Sequence, residues 1–267
     1  MKDLLIRVIG DEPNPLQRRN KAREYLQARI LLSLQDHGAF ANWAFVGGTA
    51  LRFLFNLPRY SEDLDFSFLS PEAEAQFSSR LGSVKADLEA EAYDVDIRVR
   101  EHRTVVGAWV RFRSLLYEIG ASAHREETLS VKVEMDTHPP AGAVGATRIL
   151  RRHFLLNLLH YDRASLFAGK LHAVLSRKYT KGRDLYDLAW YLAAPEWPAP
   201  NLVWLNNALA QTGWAGPVMN GENWKSVVLE RLRQVEWRAA RDDVRPFLER
   251  SRDESLLTLD SFQALLG

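Results

Sequence analysis

The chain has 267 residues, 46% of them hydrophobic, which is enough for one large domain or two modest ones around a substantial core. It contains no cysteine, which excludes disulfides and thiolate metal sites and leaves any metal to carboxylates or to the seven histidines, and so to hard, oxygen-preferring ions. The net charge of +1 conceals a local bias: from Arg148 to Arg183 nine Lys or Arg stand against the single acid Asp162, a stretch that an anionic partner would meet.

The N-terminus carries acids early and has no apolar run long enough for a signal peptide or a membrane span, so a cytoplasmic protein without membrane association is expected. Residues 16–35, with Tyr25, Leu26, Ile30, Leu31 and Leu34 at helical spacing, predict an amphipathic helix that ends at His37-Gly38. This N-terminal helical lead-in covers 1–38. Residues 43–46 read as a short buried strand, Gly47-Gly48 as a tight turn, and 49–55 as a helix opening directly from it. A strand, a glycine turn and a helix start together make a place where phosphate can sit.

Residues 58–61 form a loop, and 63–68 alternate polar with apolar side chains, which predicts a strand with Asp63 and Asp65 on the same face. A charged surface helix is expected over 71–92, followed by strands over 93–100, 105–116 and 129–136. This pattern is α+β, a mixed sheet flanked by helices. The breaker-rich loop at 138–145 ends the strand patterns, and helices are expected from there on, at 165–177, 184–192, 201–210 and twice between 224 and 251. A boundary near residue 155 separates a sheet-containing core, 39–155, from a helical C-terminal domain, 156–267.

Asp63 and Asp65 can hold divalent cations, and a nucleoside triphosphate through them. Taken alone, Asp-x-Asp on a strand is more often a solvated face. Gly47, Gly48 and Thr49 add backbone amides at a helix start, with the Thr49 hydroxyl beside them, where the helix dipole favours phosphate oxygens. A third carboxylate is needed to complete the metal shell or take a proton, and Glu134 on the polar face of a later strand is the candidate, with Asp136 in reserve. The bland alternative for Glu134 is an ion pair with Arg111 or Arg113. Lys170, on an otherwise small and apolar helix, is suited to a β- or γ-phosphate, or is a lysine snorkelling from a half-buried helix. Asp184 either caps its own helix or orients Lys170, and Asp187 has the same helix-start alternative. Ser61, two residues before Asp63, belongs beside the nucleotide, and a phosphate on it would compete with substrate for metal.

Gly47-Gly48-Thr49-Ala-Leu followed by Arg59-Tyr-Ser61-Glu-Asp63-Leu-Asp65-Phe, then Lys132-Val-Glu134, then Ala168-Gly-Lys170-Leu-His-Ala with Arg183-Asp184-Leu-Tyr-Asp187-Leu, resembles the AbiEii/AbiGii toxin family of nucleotidyltransferases, relatives of the MenT-type toxins. The resemblance spans residues 45–192; Gly169 stands where the family often has a larger polar residue, and no motif matches beyond Leu192. It implies a polymerase-β-like nucleotidyltransferase core with a mixed sheet plus a helical C-terminal domain, in a toxin of a type IV toxin-antitoxin system acting in phage defence or growth control. Asp63, Asp65 and Glu134 would bind Mg²⁺, with Mn²⁺ as the alternative ion. Lys170 would hold the triphosphate of an NTP substrate and Asp184 would complete the site. A cognate antitoxin is the implied protein partner, and the tRNA 3′ end the favoured acceptor, which agrees with the basic stretch. Two rivals stand beside this: the same chemistry on a small molecule such as an aminoglycoside or on a protein side chain, and a non-catalytic module that only binds RNA or a partner.

Overall fold

Asn14 and Pro15 set the start of the longest helix: the Asn14 side chain accepts from the Leu16 and Gln17 amides, and proline at the first position gives up no hydrogen bond. In the computed structural model of the chain, residues 2–69, 76–101, 105–179 and 181–267 are described. They divide by contacts into a first unit, Met1–Asn56 with Tyr60–Pro139 and Thr147–His160, and a second, Leu57–Arg59 with Pro140–Ala146 and Tyr161–Gly267.

The first unit begins with helices α1 (Lys2–Ile9) and α2 (Pro15–Asp36), then runs β1 (Trp43–Val46), α3 (Gly47–Phe55), β2 (Asp63–Phe68), α4 (Phe77–Ala90), β3 (Val95–Glu101), β4 (Val105–Phe112), the single turn α5 (Leu115–Glu118) and β5 (Leu129–Asp136). Strands β6 (Gly145–Arg152) and β7 (Phe154–Tyr161) complete a sheet of order β3-β4-β5-β2-β1-β7-β6. β2 pairs antiparallel with β1 and parallel with β5, and β1 pairs parallel with β7. The sheet is therefore mixed, as the alternation of its strands implied.

Period two sorts the faces. Leu64 and Phe66 of β2, Val131, Val133 and Met135 of β5, and Val106, Ala108 and Val110 of β4 share one core with Leu26, Ile30 and Leu34 of α2 and with Leu81, Val84 and Leu88 of α4. The opposite face of the same strands carries the half-buried Asp63, Asp65, Lys132 and Glu134. The part of the expected 71–92 helix that falls on 71–75 lies outside the described residues.

The expectation that strands stop after the 138–145 loop is corrected by β6 and β7. β6 is an edge strand whose residues are mostly exposed, so Gly-Ala-Thr-Arg-Ile-Leu-Arg-Arg carries no period-two signal. β7, Phe-Leu-Leu-Asn-Leu-Leu-His-Tyr, is an apolar run that periodicity cannot assign to strand or helix. Likewise 105–116 is not one strand: Ser114, with φ +55°, ends β4 and turns the chain into α5.

The second unit is helical: α6 (Arg163–Ser176), α7 (Gly182–Ala193), α8 (Leu202–Gln211), α9 (Trp224–Leu232), α10 (Trp237–Val244) and α11 (Leu259–Leu266). Asp162 caps α6 by accepting from the Ser165 amide, and Asn201 caps α8 while donating to the Gly142 carbonyl. α6 packs against α7, α8 and α9, and α7 against α10 and α11. No helix among the described residues is long and apolar enough to cross a membrane.

Candidate active site

Gly47 is the first residue of α3, and its φ of +78° is a conformation glycine adopts without penalty. A Cβ there would overlap Oδ2 of Asp65 and stand 3.0 Å from its Cγ, so the missing side chain is the space the carboxylate occupies. Val46, a residue with no hydrogen-bonding side chain, stands at the N-cap, so α3 opens without a side-chain cap. Thr49 is fully buried, and its hydroxyl donates to the backbone carbonyl of Asp63. This bond ties the first turn of α3 to the start of β2. Gly48 is buried in the same turn, and the Ser61 carbonyl accepts from Gln27 of α2.

These bonds bring Gly47, Thr49, Asp63 and Asp65 together from two elements. Glu134 is the register partner of Asp65 across the parallel β2–β5 pairing, and Lys132 that of Asp63. The Glu134 carboxylate, however, is ion-paired with Lys132 at 2.6 Å, and among the described residues no three His, Asp or Glu form a metal-binding group. The expected three-carboxylate shell is thus not assembled. The reason is local: residues two apart on one strand share a face, which sets Lys132 beside Glu134. Neither Arg111 nor Arg113 is its partner here; Arg113 pairs with Asp94 and Asp96. Asp136, one row further along β5, accepts from the His138 amide, and burial pushes its carboxyl up from the ordinary range.

The donor set on this face fits a hard divalent ion. It is all oxygen, half-exposed, and supplies two carboxylates, the number usual where substrate phosphates and water fill the remaining positions.

A second cluster is built inside the helical unit. Lys170 of α6 lies 3.2 Å from Asp184 and 2.7 Å from Asp187, both on α7. Arg59 grips Asp187 through two bonds of 2.6 Å, and Arg177 donates to Asp184. Burial works against the Lys170 charge, but the two carboxylates outweigh it and hold its pKa above the ordinary lysine value. For Asp184 burial is likewise opposed, by Lys170 and Arg177, and its pKa falls. Asp187, fully buried, is the hub of the cluster, a role beyond the helix-start acid expected of it. Its signal was present: Asp184, Asp187 and Tyr191 follow the buried stripe of α7, and a carboxylate in such a stripe needs cations. Arg59 and Arg177 were missed because nothing local marks them.

Comparison with curated proteins finds no match. Among solved structures, the chain is similar to one described as a candidate nucleotidyltransferase from Helicobacter pylori, with TM-score 0.53 and 18% identity over 92% of this chain and 90% of that one. It is also similar to JHP933 from the same organism, with TM-score 0.48 and 19% identity over 92% and 94% of the two chains. The first likeness is one of fold. A family profile described as nucleotidyl transferase AbiEii toxin, type IV toxin-antitoxin system, matches residues 29–266. With α3, the Asp63–Asp65 strand and the Lys170–Asp184 cluster all inside that span, the chain belongs to the AbiEii nucleotidyltransferase toxin family.

Proposed function

We propose that this toxin transfers a nucleoside monophosphate from an NTP to the 3′ hydroxyl of an RNA, tRNA being the first acceptor to test, and that it does so with Mg²⁺ held by Asp63 and Asp65. The observation that carries this is the placement of Asp65 against the side-chain-free Gly47, which sets a carboxylate pair at the start of a helix. The bound ion would supply charge neutralisation at the α-phosphoryl group. The uncapped first turn of α3, with Gly47 and Gly48, is the proposed seat of phosphate oxygens. Lys170, whose charge is held on by Asp184 and Asp187, is the proposed contact to the triphosphate.

In the transfer, the acceptor oxygen bonds to the α-phosphorus, the bond to pyrophosphate breaks, and the hydroxyl proton passes to a carboxylate. Glu134 is the proposed acceptor of that proton once its carboxylate leaves Lys132, and Asp136, with its raised proton affinity, is the alternative. Arg148 and Arg151 in the first unit and Lys178 and Lys181 in the second are all exposed, which supports an anionic polymer as acceptor.

The test is incubation of the purified protein with total RNA, Mg²⁺ and each α-³²P-labelled nucleotide in turn, beside an Asp63→Ala variant. Label in a tRNA-sized band that is lost in the variant is the expected result. Label on protein or small molecules alone would overturn the RNA acceptor.

A further inference from the structure

A groove of about 470 Å³ opens on the second unit, with Leu175, Arg177, Trp214, Pro217, Val227 and Arg231 in its lining. Its aromatic wall is fixed in place. The Trp214 indole N–H donates to the Pro217 carbonyl at 3.1 Å, and the ring lies so close to Gly216 that a Cβ there would overlap it. Its cationic wall is fixed as well. Arg231 of α9 donates to the carbonyls of Val174 and Arg177, at 3.2 and 2.7 Å, and so ties down the end of α6 from which the Arg177 side chain projects. Arg177 is half-exposed and bonded to Asp184, which makes the groove continuous with the Lys170 cluster. Glu230, the acid of the lining, is paired with Arg233 at 2.8 Å. From Arg177 the chain continues through Lys178 and Tyr179, the latter 78% exposed.

A rigid indole face over an apolar floor, edged by guanidinium and followed by a basic, aromatic segment, is the pairing of features that holds single-stranded nucleic acid: bases stack and the backbone meets the cations. An acidic peptide would use the cations but not the flat ring. The volume suits one nucleotide. We propose that this groove is a nucleobase subsite for the acceptor strand, with a base stacked on Trp214 and the adjoining phosphate against Arg177. The subsite rests on the RNA-acceptor reading above.

The experiment is fluorescence anisotropy of a short 5′-labelled single-stranded RNA with the full chain, comparing wild type, Trp214→Leu and Trp214→Phe. Leucine keeps apolar bulk and removes the π-face, so binding weakens about tenfold, whereas phenylalanine keeps stacking and stays within a few-fold of wild type. If wild type binds the RNA and Trp214→Leu binds it equally well, the subsite is overturned and the RNA acceptor stands. If wild type binds no RNA, both fall. Should Trp214→Leu fail to fold, photo-crosslinking of a 4-thiouridine RNA to the unmodified protein decides: a crosslink on the peptide carrying Trp214 is the expected result, and crosslinks confined to other peptides overturn the proposal.

Discussion

Replacing Gly47 with alanine isolates what this residue does for Asp65. The left-handed backbone at φ +78° costs a residue with a Cβ about 1–2 kcal/mol, which lowers the melting temperature by several degrees and leaves the protein folded at room temperature. The new methyl also overlaps the Asp65 carboxylate, which must retreat on the order of 1 Å to regain van der Waals distance. A displacement of that size at a reacting centre costs roughly 100-fold in rate, or about 2.7 kcal/mol of barrier. Gly38→Ala is the matched control: its φ is +71°, yet nothing stands within 4 Å of the added Cβ, so it carries the same backbone strain without touching the carboxylate. Nucleotide transfer and thermal unfolding, measured on both variants, separate the two effects. Gly38→Ala should lose stability alone, and Gly47→Ala should lose stability and turnover. A folded Gly47→Ala protein with undiminished transfer would refute the assignment of Asp65 to the reacting centre.

Asp187→Ala removes the carboxylate that Arg59 grips and the nearer of the two on Lys170, and should cost about 3–5 kcal/mol in urea unfolding; a loss under about 1 kcal/mol would show that the cluster does not hold the helical unit together. In the first unit, burial alone would raise the Glu24 carboxyl, but His153, Arg52 and Arg152 overcome it and hold its pKa at about 2. A folded pKa below the unfolded value contributes stability that is present above the unfolded pKa and lost as pH falls through the folded one. On the order of 3 kcal/mol should therefore disappear between about pH 4.5 and pH 2. Glu24→Gln should flatten that part of the acid-unfolding curve, and an unchanged curve would contradict the coupling. EDTA should abolish transfer and excess Mg²⁺ restore it, while Asp63→Asn stays inactive with Mg²⁺ present; transfer that persists in EDTA would exclude a metal-dependent step.

Much of the candidate catalytic face was legible because its signals are local. Asp63 and Asp65 share a face by strand period alone, and the strands at 43–46, 63–68 and 129–136 have the bounds that alternation and the glycine turn predict. The Thr49 bond was not legible, because a hydroxyl at a helix start has the same appearance in sequence whether or not it meets a carbonyl 14 residues away. Arg59 and Asp187 lie 128 residues apart, and only tertiary packing makes them partners. The hairpin strand β6 escaped notice because an exposed edge lacks the hydrophobic contrast that periodicity detects. Lys132, read only as part of a motif, proved to be the ion-pair partner of Glu134.

The order of strands has a consequence for how the toxin is made. As the chain leaves the ribosome, β2 has β1 as its first neighbour, and its other neighbour, β5, arrives only when residue 136 has emerged; β7 reaches β1 later still, near residue 160. Until residue 136 emerges the strand bearing Asp63 and Asp65 is an unprotected edge, and the helices of the second unit that carry Lys170 and Asp184 have not been synthesised. For about half its length, then, the growing chain lacks both the second neighbour of β2 and the helices that bear Lys170 and Asp184.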